Sequence, residues 1–487
     1  MLNNIEEVIE NLKKDTNNSE DIIYREKYIK KTKLYIIYDE PLASSNKISD
    51  FIIRSLNNIS NNKISSKELI KVIENNISNF KVTTFDTYDK IGFYIHRGFT
   101  VILIEGENKG LALETKADIS RGIGTPETEN TVRGARDAFN EDYQVNIGLI
   151  KKRIKTNDLW VKSCNVGKYT QTQVSVLSIN GIVKPELVDK VYEKIKKINI
   201  DGIINSDMIK NLIQKENKNL FPTILTTERP DIVSKALLNG KVAIVVDNSP
   251  YVLVVPGLLN DYFKTMEDVY GKSYNVTFTR MIKFLCFFIS ILTPAIYVAL
   301  ITYNQEMIPS DLLISFAVQR DGVPFPVFFE AFMMIIAFEI LKESDLRVPS
   351  FSGSALSIVG ALILGEAAVN AGIVSPIMII IISITAISSL PFNETELVNG
   401  IRIYRIFFMI WAAFLGMVGV IICFMFFIVK LSSVKSFGKP YLMPYAPTYI
   451  SGLKNGIIKF PLSSLKKRPE YLSNNNIRQR SDKNETS

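Results

Sequence analysis

The sequence predicts an α/β soluble N-terminal region of two related lobes, followed by an α-helical transmembrane bundle. Three observations predict it: a fall in charge density after Tyr274, a strand–helix–hairpin pattern that recurs within the first 260 residues, and long uncharged stretches between Met281 and Leu431. Over 487 residues the 47% hydrophobic and 22% charged content looks ordinary, but that average joins two unlike halves. About 270 soluble residues exceed what one core usually serves, so two lobes are expected. The expected division is 1–120 for the first cytoplasmic lobe, 121–158 for a connecting helix and 159–275 for the second lobe. Residues 276–431 then form the membrane domain with four to five segments, and 432–487 a basic tail.

Met1 to Asp21 is polar and acidic, with no apolar run behind a basic start, so no cleavable signal peptide is expected and the lobes stay in the cytoplasm. Lys33 to Tyr38 is β-rich, and Asn46 to Leu56 places Ile48, Phe51, Ile52 and Leu56 at helical spacing. About 140 residues later Gln173 to Ile179 and Pro185 to Ile198 repeat that form. Arg97 to Thr115 and Asn239 to Pro256 each read as a hairpin, two apolar runs around a turn. Recurrence at one offset predicts two lobes of related topology, roughly 30–118 and 160–260.

Between them Thr125 can cap a helix, Pro126 fits its first position, and Glu127 and Glu129 suit its N-terminus. Lys151, Lys152, Arg153 and Lys155 suit its C-terminus, which predicts one long connecting helix over 125–155. Its charges form either a solvated face or a lobe or subunit interface through Glu127, Glu129, Arg133 and Arg136.

Function classes can be excluded. Cys164, Cys286 and Cys423 lie too far apart for a disulfide framework, and with His96 as the single histidine no ligand set has metal-site spacing. Gly271-Lys272-Ser273 lacks the upstream glycine of a phosphate-binding loop, so ATP hydrolysis is not expected. No catalytic residue, cofactor or nucleic-acid partner is expected. The net charge of +8 owes much to Lys454, Lys459, Lys466, Lys467 and Arg468, which suit anionic lipid headgroups.

Met281 to Tyr303 and Phe407 to Leu431 each have the length of a membrane span, the first kinked at Pro294. Between them Phe325 to Leu341 carries Glu330 and Glu339, Gly353 to Ile373 carries Glu366, and Pro376 to Leu390 is apolar but short. An ionised group facing lipid costs on the order of 3 kcal/mol, so these carboxylates need protein or water. Glu366 and Asn370 share a helix face, while Gly353, Ser357, Ala361 and Gly365 form a small-residue strip for helix packing. Glu366, Asn370 and Glu330 are thus candidates for an ion path; the alternative for Glu366 is a neutral, hydrogen-bonded acid at a helix contact. Arg402 and Arg405, read as loop charges, leave the number of crossings open. Both termini are expected in the cytoplasm, with a re-entrant or surface-lying piece within Ala355 to Leu390.

Motifs in order carry a resemblance over Lys33 to Pro447: Pro126-Glu127-Thr128-Glu129, Glu228-Arg229-Pro230-Asp231, Pro294-Ala295-Ile296-Tyr297, Glu306-Met307-Ile308-Pro309, Gly322-Val323-Pro324-Phe325-Pro326 and Phe437-Gly438-Lys439-Pro440-Tyr441. The chain resembles the A subunit of the GerA family of spore germination receptors. The resemblance implies a multi-pass protein of the endospore inner membrane, beside a permease-like B subunit that binds nutrient and a lipoprotein C subunit. It also implies a homo-oligomer acting as a germinant-gated monovalent cation channel. Glu366 departs from the glutamine usual in the family, and Ala135 and Asp137 replace an expected proline and glutamate. Two alternatives stay open: a signalling and assembly scaffold without its own pore, and a receptor-independent paralogue linked to calcium dipicolinate release.

Overall fold

A computed structural model describes residues 4–29, 32–59, 70, 73, 82–118, 124–126, 128, 129, 131, 134–214, 219–265, 267–345, 365–461, 464, 465 and 467–474. Two five-stranded antiparallel sheets form the N-terminal lobes. In the first, β1 (Ile22–Ile29), β2 (Thr32–Asp39), β3 (Val82–Phe85), β4 (Phe99–Ile104) and β5 (Gly110–Glu114) lie in the order β1-β2-β4-β5-β3. In the second, β6 (Leu159–Val166), β7 (Thr172–Ile179), β8 (Leu225–Thr227), β9 (Val242–Val246) and β10 (Val252–Val255) repeat it as β6-β7-β9-β10-β8. Equivalent pairings place Ile36 opposite Ile102 and Val176 opposite Ile244. The expected duplication of topology is therefore present.

Each sheet is covered on both faces, which is why β9 reads Val-Ala-Ile-Val-Val without alternation and is buried throughout. In lobe 1, Ile36, Ile102 and Leu111 pack on Ile48, Ile52 and Leu56, while Ile37, Val101 and Leu103 pack on Ile5, Ile9, Leu12 and Ile91. In lobe 2, Val176, Ile244 and Leu253 meet Leu187, Val191 and Ile209, and Leu177, Val245 and Val254 meet Ile147, Ile150, Val233 and Leu237.

One element here was not anticipated and one expectation is corrected. The polar N-terminus contains a helix, Ile5–Asp15, whose Ile5, Val8, Ile9 and Leu12 form one buried stripe. The long connecting helix is replaced by a short one, Tyr143–Arg153, capped by the Asp142 side chain accepting from Val145 N. The described residues of 124–141 form no helix, and Glu228 and Arg229 of lobe 2 bind backbone groups of Thr128, Glu129 and Ala135. Tyr143–Arg153 corresponds in lobe 2 to Ile5–Asp15 in lobe 1: each precedes the strand pair and covers the same face.

The lobes dock through buried charge. Lys151, on Tyr143–Arg153, donates to Asp39 at 2.6 Å and also pairs with Asp21; all three are buried. His96 Nδ1 lies 3.4 Å from Asp39, and its Nε2 is 2.6 Å from Asn157 Oδ1.

The membrane region begins with the helix Ser273–Thr302, 30 residues long. The helix Thr395–Ser433 is the second apolar stretch of membrane length, but it is a hairpin and not one span, which corrects the expectation for Phe407 to Leu431. Tyr404 and Phe427 would lie about 35 Å apart on a straight helix, yet their ring centroids are 4.8 Å apart. The reversal sits at Gly416, with φ 61° and ψ −141°. A Cβ there would come within 2.7 Å of Tyr303 Cβ, so only glycine meets both demands. The outgoing arm, 395–415, runs beside Ser273–Thr302, and the return arm, 417–433, comes back to lobe 2. At the tip Tyr303 donates to Ala413 O at 3.0 Å and Met417 N donates to Asn304 Oδ1 at 3.0 Å. The helices Ser310–Arg320, Val327–Asp345 and Pro376–Ile387 complete the described bundle.

The tail returns to the lobe side. Ser473 bridges Val183, and Met443, Tyr471 and Leu472 form a cluster with Leu258. Two of the basic groups assigned to lipid contact protein instead: Lys459 donates to Gly271 O at 3.1 Å and to Asp268 O, and Arg468 donates to Leu238 O at 2.7 Å.

Candidate functional site

The loop before β8 inserts lobe 2 into the membrane hairpin. Phe221, 4% exposed, stacks on Tyr404 at 5.3 Å and meets Phe427 at 6.0 Å and Phe287 at 6.1 Å. It thus stands between both arms and the first membrane helix. Gly400 makes the entry possible, since a Cβ there would lie 2.8 Å from Leu220 O. The loop is held from both sides: Tyr262 donates to Pro222 O at 3.1 Å, and Ser436 donates to Thr223 O at 2.6 Å.

Beside this wedge Lys210, on the lobe-2 helix Ser206–Gln214, reaches the start of the outgoing arm. Its ammonium lies 3.0 Å from both Glu394 and Glu396 and donates to Thr226 Oγ1 at 2.8 Å. Lys210 is buried, so these partners are what keep its charge tolerable.

The linker is fastened to the same place by Glu228-Arg229-Pro230-Asp231. Glu228 Oε1 accepts from Thr128 N at 2.7 Å, Thr128 Oγ1 at 2.8 Å and Glu129 N at 2.9 Å. The Arg229 guanidinium donates to Glu129 O at 3.0 Å, Thr131 Oγ1 at 2.8 Å and Ala135 O at 3.2 Å, and pairs with Asp231 at 2.7 Å. Pro230 starts the helix Pro230–Leu238, whose first turn needs no donor from it. Burial pushes the Glu129 carboxyl up to about 7, although Thr227 donates to it. Linker, lobe 2 and the 391–397 elbow together enclose a cavity of about 700 Å³.

The bundle carries two buried charge groups. Glu330 is fully buried; its Oε1 accepts from Ser375 N and Ser375 Oγ, and its Oε2 lies 3.7 Å from Arg320. Glu339 pairs with Arg402 at 2.6 Å and lies 3.7 Å from Arg405, which donates to Ser290 O at 2.8 Å. Arg402 and Arg405 are therefore bundle residues and not loop charges. Ser290 lies 12 residues before the helix end, about 18 Å from it, so this pairing is at mid-depth.

Glu366 and Asn370 are exposed on the helical turn 365–370, and Glu366 has no hydrogen-bond or ion-pair partner among the described residues. A Cβ added at Gly365 would lie 3.7 Å from Ile379, so this turn runs beside the helix Pro376–Ile387. Gly353, Ser357 and Ala361, like Glu127 and Arg133, lie outside the described residues. Glu129 faces the cavity, and Arg136 is exposed. Lys210, Phe221 and the Glu339 partners were not legible as a site, because each partner lies far away in sequence. Among the described residues no group of His, Cys, Asp and Glu could hold a metal ion.

Comparison with known proteins adds the family. The pattern described as "Bacillus/Clostridium GerA spore germination protein" matches residues 10–471. Spore germination protein KA of Bacillus subtilis (strain 168) is 38% identical over 465 residues, covering 95% of this chain and 85% of that protein. Spore germination protein GerLA of Bacillus cereus is 33% identical over 473 residues, covering 96% of each. Among solved structures, the N-terminal domain of the A subunit of the Bacillus megaterium spore germinant receptor GerK3 matches at 26% identity. That match covers 52% of this chain and 94% of that one, with a TM-score of 0.40.

Proposed function

The chain belongs to the GerA family of spore germination receptor A subunits, and from that premise we propose that it is the membrane subunit of a nutrient germinant receptor whose copies surround a monovalent cation path. The observation that carries this reading is the exposed pair Glu366 and Asn370 on an apolar bundle, without a partner among the described residues. A carboxylate left facing lipid costs on the order of 3 kcal/mol, so Glu366 faces water or a neighbouring copy. An acidic ring near the mouth attracts cations and repels anions. Glu330, enclosed against Ser375, positions the 365–375 segment that carries the ring.

Lobe 2 is the element that moves the path. Its Phe221 wedge and Lys210 strut connect it to the outgoing arm, so a shift of lobe 2 is felt by the hairpin. Lobes and tail share one side of the membrane, and the basic residues of the tail support the cytoplasm, the spore core, as that side. A permease-like B subunit and a lipoprotein C subunit complete the receptor in the spore inner membrane. Linker residues Glu127, Arg133 and Arg136 serve as contacts between copies.

The test is potassium release from spores whose only copy of this chain carries Glu366→Gln. Slower release on germinant addition, with the receptor still assembled, is expected. Release at the wild-type rate would move the path away from Glu366.

A further inference from the structure

The cavity between lobe 2 and the bundle has two groups of opposite charge. In the acidic group, one lysine, Lys210, faces Glu394 and Glu396 at 3.0 Å each, with Asp207 one turn earlier on its helix and Glu129 entering from the linker. In the basic group are Lys264 and Lys283, whose ammoniums have no partner among the described residues. Asp261, the carboxylate acting on Lys264, is engaged by Lys241 at 2.5 Å, and Glu267 lines the cavity beside Lys283. Different charges act most on each group: Glu228, Glu394 and Arg229 on Glu129, and Asp261, Arg280, Lys235 and Lys241 on Lys264. Burial lowers Lys264 to about 7 as it raises Glu129 to about 7, so each site favours neutrality until a counter-charge arrives.

The volume of about 700 Å³ is in the range of small-molecule sites. We propose that this cavity binds a small zwitterion, its ammonium against Glu129 and Asp207 and its carboxylate against Lys264 and Lys283. An ammonium alone would leave the lysines without a partner, and a carboxylate alone would meet the acidic group. The walls come from the linker, lobe 2 and the Glu394–Leu397 elbow together, so the occupant bridges lobe 2 to the outgoing arm. The isolated lobes lack part of the wall and do not form the site. This assignment stands on the cavity and is independent of the channel reading.

The test is calorimetric titration of the purified full chain with glycine, 4-aminobutanoate and 6-aminohexanoate, with acetate and methylammonium as single-charge controls. At least one zwitterion binds, and its affinity falls tenfold or more in Glu129→Gln and in Lys264→Met. Asp207→Asn, at an exposed position whose change leaves the fold intact, weakens it at least threefold. The proposal is overturned if none of the three zwitterions binds, if the variants bind unchanged, or if either single-charge probe binds as tightly. Binding is read without ion flux, so a chain that binds and does not conduct counts against the channel reading alone.

Discussion

Replacing Phe221 by alanine removes a ring that is 4% exposed and touches three aromatic partners on the first membrane helix and both hairpin arms. A buried Phe→Ala change costs about 3–5 kcal/mol. Only lobe 2 carries the wedge, so the cost falls on its docking to the hairpin and not on either sheet. At about 1.4 kcal/mol per tenfold, the undocked population rises by roughly 100-fold or more. Hydrogen exchange of the full chain reads this directly. The Gly257 amide, which donates to Thr223 O at 2.8 Å, and the Val398 amide, which donates to Glu394 O at 3.2 Å, both open with the junction. Both are expected to lose about two orders of magnitude of protection, while the β2 and β4 amides of lobe 1 keep theirs. Phe221→Leu retains most of the volume and loses about 1–1.5 kcal/mol of ring contact, so its effect is near tenfold. A change below threefold in Phe221→Ala would refute the wedge as the element holding lobe 2 to the membrane region.

Three further outcomes are expected. Gly416→Ala meets Tyr303 at 2.7 Å and requires φ 61°, so it lowers the melting temperature of the detergent-solubilised chain sharply; Gly365→Ala, with Ile379 no nearer than 3.7 Å, leaves it unchanged within error. Lys151→Met leaves Asp21 and Asp39 buried without their cation and destabilises lobe docking by about 3–5 kcal/mol, read as a lower denaturation midpoint of lobe 1. Glu129 holds its proton up to about 7 in the folded chain, against 4.5 ordinarily, so the folded state carries the extra proton between those values and stability falls as pH rises through that window. Glu129→Gln flattens this slope, and melting curves from pH 5 to pH 8 check it.

Where the sequence was legible, one element decided its own form. The Val242–Val246 strand is apolar at every position because both faces of its sheet are covered, and Pro185–Lys196 shows its buried stripe of Leu187, Val191 and Ile195 at helical spacing. Ile5–Asp15 carried the same spacing, but its Glu and Lys residues dominated a reading by composition. The hairpin was hidden because glycine is ordinary in apolar membrane helices, and nothing local marks Gly416 as a reversal until Tyr303 and Asn304 are brought against it. Arg402 and Arg405 read as loop charges because their partner, Glu339, lies on a different helix. The Lys210 strut and the cavity were invisible for the same reason: Lys210 and Glu394 are 184 residues apart. Glu366 was visible as an unpaired carboxylate, and it remains exposed.

The central claim is that copies of this chain conduct cations past Glu366 under the control of lobe 2. Potassium flux from liposomes containing the chain with its B and C partners tests it most directly, comparing wild type with Glu366→Gln. Flux that requires partners and germinant, and that falls in the variant while assembly is retained, is the predicted result. Assembled, germinant-responsive complexes that pass no potassium would contradict it and leave the chain a scaffold.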